Sequence, residues 1–186
     1  MEKETHDKRV QRTRQALLRA FFGLVLERRY GEIKVADILE RSRVGRSTFY
    51  EHFSSKDAIL ASSLTGPFEV LADATGRADN TVQLTLLLEH FWENRAMARG
   101  IFLGAVRRKA TAVLVDLIEQ RLKIDRVDKP ASLIIPLRLV AIQLAEGLLA
   151  PTTAWLIGEA QCSADALALA LRRTATATIS ALSQLD

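Results

Sequence analysis

The stretch SRVGRSTFYEHFSSKDAIL, residues 42–60, decides how this chain is read. Its spacing predicts a helix over 46–53 only about eight residues long, too short to be stable in water without tertiary packing. Phe49 and Phe53 stand one turn apart and, with Val44, can anchor one side of that helix against Ile38 and Phe21. Arg46, Ser47, Thr48 and Tyr50 are then left pointing elsewhere.

Immediately upstream, Val35, Ile38 and Leu39 give a second short helix over 35–42, and Arg43-Val44-Gly45 is a tight connection. Two short helices joined by three or four residues including glycine, the second anchored on one side and rich in donors on the other, match a helix-turn-helix. In that arrangement the second helix enters the DNA major groove. The chemistry agrees. Arginine pairs bidentately with guanine edges, and serine or threonine reaches bases or phosphates, so Arg46, Ser47 and Thr48 are candidate readers. Tyr50, His52 and Lys56 carry donors suited to phosphate oxygens, and Lys56 lies in the first turn of a new helix, whose amides attract phosphate. The basic run Lys8, Arg9, Arg12 and Arg14 precedes this unit and could follow the backbone nearby.

Charge placement points the same way. Of 186 residues, the first 60 hold 13 Lys and Arg against 9 Asp and Glu, so the whole net charge of +4 lies in the first third. Such asymmetry favours a polyanion partner for the N-terminal segment, with a solvated basic face as the plainer alternative. Composition is 48% hydrophobic and 26% charged, enough for a packed core and against disorder. No uninterrupted apolar run approaches ~18 residues, so no membrane span is expected, and the charged start of the chain does not read as a secretion signal. The cytoplasm is the expected location. Cys162 is the single cysteine, so neither an internal disulfide nor a multi-cysteine metal site is expected, and no cofactor is implied. His6, His52 and His90 are far apart, and no metalloprotease, nucleophile-elbow or phosphate-loop pattern occurs, so an enzyme is not expected.

Scarce glycine and proline, with Ala, Leu, Arg and Glu abundant, predict an all-α chain. The first helix is expected over 10–29, with Leu17, Leu18, Phe21, Leu24 and Val25 as its apolar stripe and Tyr30-Gly31 as its stop. Ser54 with Asp57 matches a capping box opening the fourth helix, which Gly66-Pro67 should end or kink. Further helices are expected over 80–95, 98–123, 131–158 and 163–185, with a loop at 126–132.

Residues 13–60, and above all VADILERSRVGRSTFYEHFSSKDAIL, strongly resemble the DNA-binding domain of the TetR/AcrR family of bacterial transcriptional regulators. Val35, Ile38, Thr48, Phe49, Tyr50, His52, Phe53, Lys56, Asp57 and Leu60 all fit the family pattern. The resemblance implies a three-helix helix-turn-helix DNA-binding domain over residues 8–55 and a helical effector-binding and dimerisation domain over 56–186. It implies that Thr48, Tyr50 and His52 contact backbone or base edges and that Lys56 binds phosphate. Gly45, Arg46 and Ser47 fall where the family varies to set its operator, and Thr13, at the start of the span, joins the expected DNA contacts. Two departures stand out. Lys34 replaces a capping Thr or Ser, and Arg43 replaces the glycine of the usual Ala-Gly-Val-Ser turn; both could reach phosphate by charge.

Beyond residue 66 the resemblance fades. The family implies two long final helices forming a four-helix bundle across a two-fold axis, and Ala145, Gly147 and Ala150 would permit close helix approach, burial within one chain being the alternative. Effector-pocket candidates are Phe68, Leu87, Phe91, Trp92, Phe102, Leu103 and Trp155, with His90 or Asn94 as polar anchor; such residues can equally be core. The implied function is a homodimeric regulator, a repressor that binds a palindromic double-stranded DNA operator and is released by a small apolar or amphipathic ligand. The alternative is a regulator of the same kind without a small molecule, controlled by a protein partner.

Overall fold

A computed structural model describes residues 2–104, 106–126 and 133–183. Among these the chain forms nine α-helices, one 3-10 turn and no strand, only an isolated antiparallel bridge joining Leu133 to Ser183. It divides into two compact units, Met1–Ser63 and Leu64–Asp186, the division falling inside the fourth helix. Apart from Arg126, the loop expected at 126–132 lies outside the described residues, as do positions 131, 132 and 185 of the last two expected helices.

In the first unit, α1 spans Glu2–Glu27, beginning well before the expected 10. Its stripe is buried at Leu17, Phe21, Leu24 and Val25, with Ala20 between them. The helix ends two residues earlier than expected. Gly31 is not its stop but sits inside a 3-10 turn, Tyr30–Glu32, whose Tyr30 is buried. Helix α2, Val35–Ser42, is preceded by Lys34 in an extended conformation. An ammonium has no lone pair to offer the helix amides. The start of α2 is instead stabilised by Asp37, whose carboxylate accepts from the Lys34 backbone N–H at 2.6 Å. Helix α3 spans Arg46–His52 and α4 spans Lys56–Asp73. The α4 cap is Ser55, whose Oγ accepts from the Ala58 N–H at 3.1 Å, not Ser54. The Asp57 carboxylate accepts from the Tyr30 hydroxyl.

The second unit begins within α4, and Pro67 does not end that helix. Leu64, Phe68 and Leu71 flank the proline in sequence and are each at most 3% exposed; their burial offsets the missing amide hydrogen bond. Helix α5, Thr81–Glu93, follows Asn80, whose side-chain amide donates to the Val70 carbonyl at 2.9 Å. The single helix expected over 98–123 is two, α6 (Arg95–Leu103) and α7 (Arg107–Arg126). They part at Gly104, where a Cβ would lie 2.8 Å from the Gly100 carbonyl oxygen. Helices α8 (Leu137–Ile157) and α9 (Ala164–Leu182) complete the unit.

By length and composition α8 could span a bilayer, despite the expectation of no such stretch. Yet Val140, Leu144, Leu148, Leu149 and Leu156 are all buried inside the unit, as in the core helix of a globular domain. Its Thr152 and Thr153 hydroxyls donate back to the Leu148 and Leu149 carbonyls, so both polar groups are satisfied in the core. The α8 C-terminus turns at Gly158, φ 80°, the left-handed position that glycine occupies without strain.

Candidate nucleic-acid interface

Helix α3 owes its place to two rings. Phe49 is fully buried and Phe53 is 4% exposed, their centroids 6.0 Å apart. The Arg14 guanidinium, exposed at the surface, lies 5.8 Å from the Phe53 ring centre and bonds to Ser62. Arg46 and Ser47 are exposed, Tyr50 is 48% exposed, and Thr48 and His52 are half-buried. Positions 46, 47 and 50 share one face of α3 by their three- and four-residue spacing. The Tyr50 ring meets Phe49 edge-on at 5.3 Å, so the buried anchor also steadies an exposed hydroxyl. This helix therefore presents a guanidinium and two hydroxyls on a side separate from its apolar anchor.

The turn leading into α3 has an unusual residue. Arg43 adopts φ 57°, ψ 31°, the left-handed region, and is the one non-glycine residue to do so among those described. Its side chain is exposed. Gly45 takes the N-cap position in an ordinary extended conformation with no side-chain bond. Lys34, at the start of α2, is exposed.

Two expected contacts sit differently. Thr13 is half-buried within α1, and its hydroxyl donates to the Arg9 carbonyl at 3.1 Å. Lys56, expected to reach phosphate, directs two of its three N–H donors to the Tyr30 and Ile33 carbonyls, each at 2.7 Å. Its ammonium also lies 4.2 Å from the centre of the Tyr30 ring. Burial, and then the bond to Asp57, push the Tyr30 phenol well above the usual tyrosine range. Lys56, Tyr30 and Asp57 thus tie the start of α4 to the turn between α1 and α2. No local sequence signal links them, because the partners are more than 20 residues apart.

The effector-pocket candidates separate into two sets within the second unit. Phe68 stacks on Phe102 at 6.2 Å and Phe91 meets Phe102 edge-on at 5.5 Å, so these rings fill one another's space. Leu87 is half-buried and Leu103 is 55% exposed. Trp92 and Trp155, 4.8 Å apart, instead line a cavity of about 570 Å³ with Glu89, Glu93, Gln161 and Ser163. The sequence reading missed those polar residues. Asn94 donates to the His90 carbonyl at 2.9 Å, and neither residue lines this cavity. Among the described residues no group of three or more His, Cys, Asp or Glu is placed to hold a metal ion.

The model for bacterial regulatory proteins of the tetR family matches residues 17–62, the whole helix-turn-helix and its supports. A Bacillus subtilis protein described as the HTH-type transcriptional regulator YxbF is 42% identical over 55 residues, 29% of this chain and 14% of its own length. DhaS of Lactococcus lactis, described as an activator of the dhaKLM operon, is 29% identical over 91 residues, 48% of this chain and 49% of its own. The chain thus spans less than half the length of either relative. The fold is shared more widely: a TetR transcriptional regulator from Streptococcus agalactiae superposes with TM-score 0.59 over 93% of this chain and 98% of its own, at 24% identity. The domain match, the buried aromatic pair beneath α3 and the shared fold agree: residues 17–62 carry the domain of the tetR family of bacterial regulatory proteins, on a chain whose fold is shared with a solved TetR regulator.

Proposed function

We propose that the chain is a cytoplasmic, sequence-specific transcriptional regulator that binds a palindromic DNA operator as a homodimer and is released by a small ligand. The observation that carries the DNA reading is the division of α3, with Phe49 and Phe53 buried and Arg46, Ser47 and Tyr50 exposed. In this reading Arg46 and Ser47 meet base edges and Tyr50, Thr48 and His52 steady the backbone. Arg43 and Lys34 neutralise phosphate, and the neighbouring Gly45 lets the backbone come close. Lys56 and Thr13 act chiefly by holding the domain's shape.

Dimerisation would place two reading helices ~34–36 Å apart, in successive major grooves. The surface proposed for it is the outward side of α8 and α9, where Leu139, Ile142 and Leu169 are exposed. Gly147 and Ala150 on α8 are exposed too, while Ala145 is buried within its own chain. A ligand that prefers a conformation with different spacing between the reading helices weakens DNA binding by its differential affinity, typically ~5–150-fold. DhaS is described as an activator, so activation is the second reading of the outcome, separated from repression by a reporter with the operator placed over or upstream of the promoter. Control by a protein partner instead of a ligand is the remaining alternative.

Selection of bound oligonucleotides from a random pool tests the reading. A palindromic consensus is expected. Arg46→Ala should relax base preference at one position per half-site, at a cost of about 1–3 kcal/mol on the parent sequence. Lys34→Ala should weaken all sequences alike. No enriched sequence, or an Arg46→Ala variant with unchanged preference, would overturn the assignment of α3 as the reading helix.

A further inference from the structure

We infer that the cavity walled by Trp92 and Trp155 takes a small organic cation with an apolar body, held by the indole faces and by the carboxylates of Glu89 and Glu93. This deepens the effector part of the reading above and rests on it for its regulatory meaning.

The volume, about 570 Å³, suits a compact organic molecule. The two indoles are 4.8 Å apart and inclined by 38°, forming an aromatic wall. Trp155 is fixed by its N–H, which donates to the Cys162 carbonyl at 2.9 Å, and it is only 6% exposed, backing the more exposed Trp92 in the wall. Trp92 is 37% exposed. A cation is already drawn to it: the Arg95 guanidinium stands 5.3 Å from the Trp92 ring centre, though Arg95 does not line the cavity. Indole is the aromatic ring that attracts cations most strongly.

The carboxylates settle the sign of the ligand. Glu89 and Glu93 are one turn apart on α5, both exposed, both lining the cavity, and neither has an ion-pair partner among the described residues. Like charges at this spacing repel. They stand at the C-terminal end of α5, whose negative dipole end is offset by the N-terminal end of α9, because Ser163 and Ala164 also line the cavity. Two carboxylates without an ion-pair partner among the described residues therefore stand beside an aromatic wall. An anion would be repelled there, and a neutral apolar molecule would strip water from two carboxylates without return. A cation with an apolar body relieves both terms at once.

The two tryptophans of the chain are both in this wall, so intrinsic fluorescence reports on the site alone. The full chain, without DNA, is titrated with benzyltrimethylammonium and, in parallel, with neopentylbenzene, the neutral molecule of the same shape. The expected result is a saturable fluorescence change with the cation, and binding of the neutral molecule weaker by about tenfold. Glu89→Gln with Glu93→Gln should weaken cation binding by a similar factor while the melting temperature holds or rises. Equal binding of both molecules, a response that never saturates, or a double variant that binds the cation as tightly as the parent would each overturn the inference. Operator affinity is measured separately: a chain that binds no DNA in either ligand state counts against the regulator reading, and the cation titration is unaffected by it.

Discussion

Arg43 joins two opposing effects in one residue, and replacing it by glycine separates them. Its φ of 57° places the Cβ where an L-residue is crowded by its own backbone, a cost of roughly 1–2 kcal/mol that glycine does not bear. Glycine gives back roughly 0.5–1 kcal/mol through its greater freedom in the unfolded chain. The net expectation for Arg43→Gly is a stabilisation of about 0.5–1 kcal/mol, which for a chain of this length raises Tm by about 1–4 °C. The same substitution removes an exposed guanidinium just before α3. If that group neutralises one phosphate per protomer, operator affinity falls, and the slope of log affinity against log salt becomes shallower by about 0.9 per contact, or about 1.8 for a dimer. Arg43→Ala is the control. It removes the charge but keeps a Cβ in the left-handed region, so it should share the loss of slope without the gain in Tm. Thermal melts and anisotropy titrations between about 50 and 200 mM salt read both effects. A lower Tm for Arg43→Gly, or an equal gain for Arg43→Ala, refutes the conformational argument; an unchanged slope in both variants refutes the phosphate contact.

Lys56→Met keeps the side-chain stem but leaves the Tyr30 and Ile33 carbonyls without their ammonium donor, so a destabilisation of about 1–3 kcal/mol is expected, with less effect on the salt slope than Arg43→Ala; the opposite ranking would return Lys56 to the phosphate contacts. Phe49→Ala empties a fully buried position and should cost about 3–5 kcal/mol by chemical denaturation; a loss under about 1 kcal/mol would mean that the ring does not anchor α3. Tyr30 carries a pH signature. Its phenol is raised by burial and by Asp57, so the folded chain keeps a proton that the unfolded chain releases near pH ~10. Its contribution is complete below that pH and declines as the pH rises past it. Tyr30→Phe should therefore lose Tm less steeply than the parent from about pH 10 upward, and parallel slopes would contradict the assignment.

What the sequence could and could not disclose follows from how far apart the interacting groups lie. The anchor of α3 is local: Phe49 and Phe53 are one turn apart, so spacing alone predicts their burial and the exposure of Arg46 and Ser47. The cap falls one residue after the expected Ser54, and Pro67 does not end its helix, because both outcomes are decided by more than the local rule. Adjacent serines offer two cap positions by type, and the helix begins at Lys56 with Ser55 accepting from the Ala58 N–H. Pro67 is tolerated because Phe68 and Leu71 beside it are buried in the second unit's core. The cavity depends on Trp92 and Trp155 meeting across 63 positions of sequence, which no window reveals. The same reasoning limits what charge counting can say about DNA. Arg14 lies over Phe53 and Lys56 is bound to two carbonyls, so each has fewer donors left for a phosphate than Arg43, Arg46 or Lys34. A salt slope summed over every basic residue of the first 60 is therefore too steep, and the slope expected is that of the exposed cations alone.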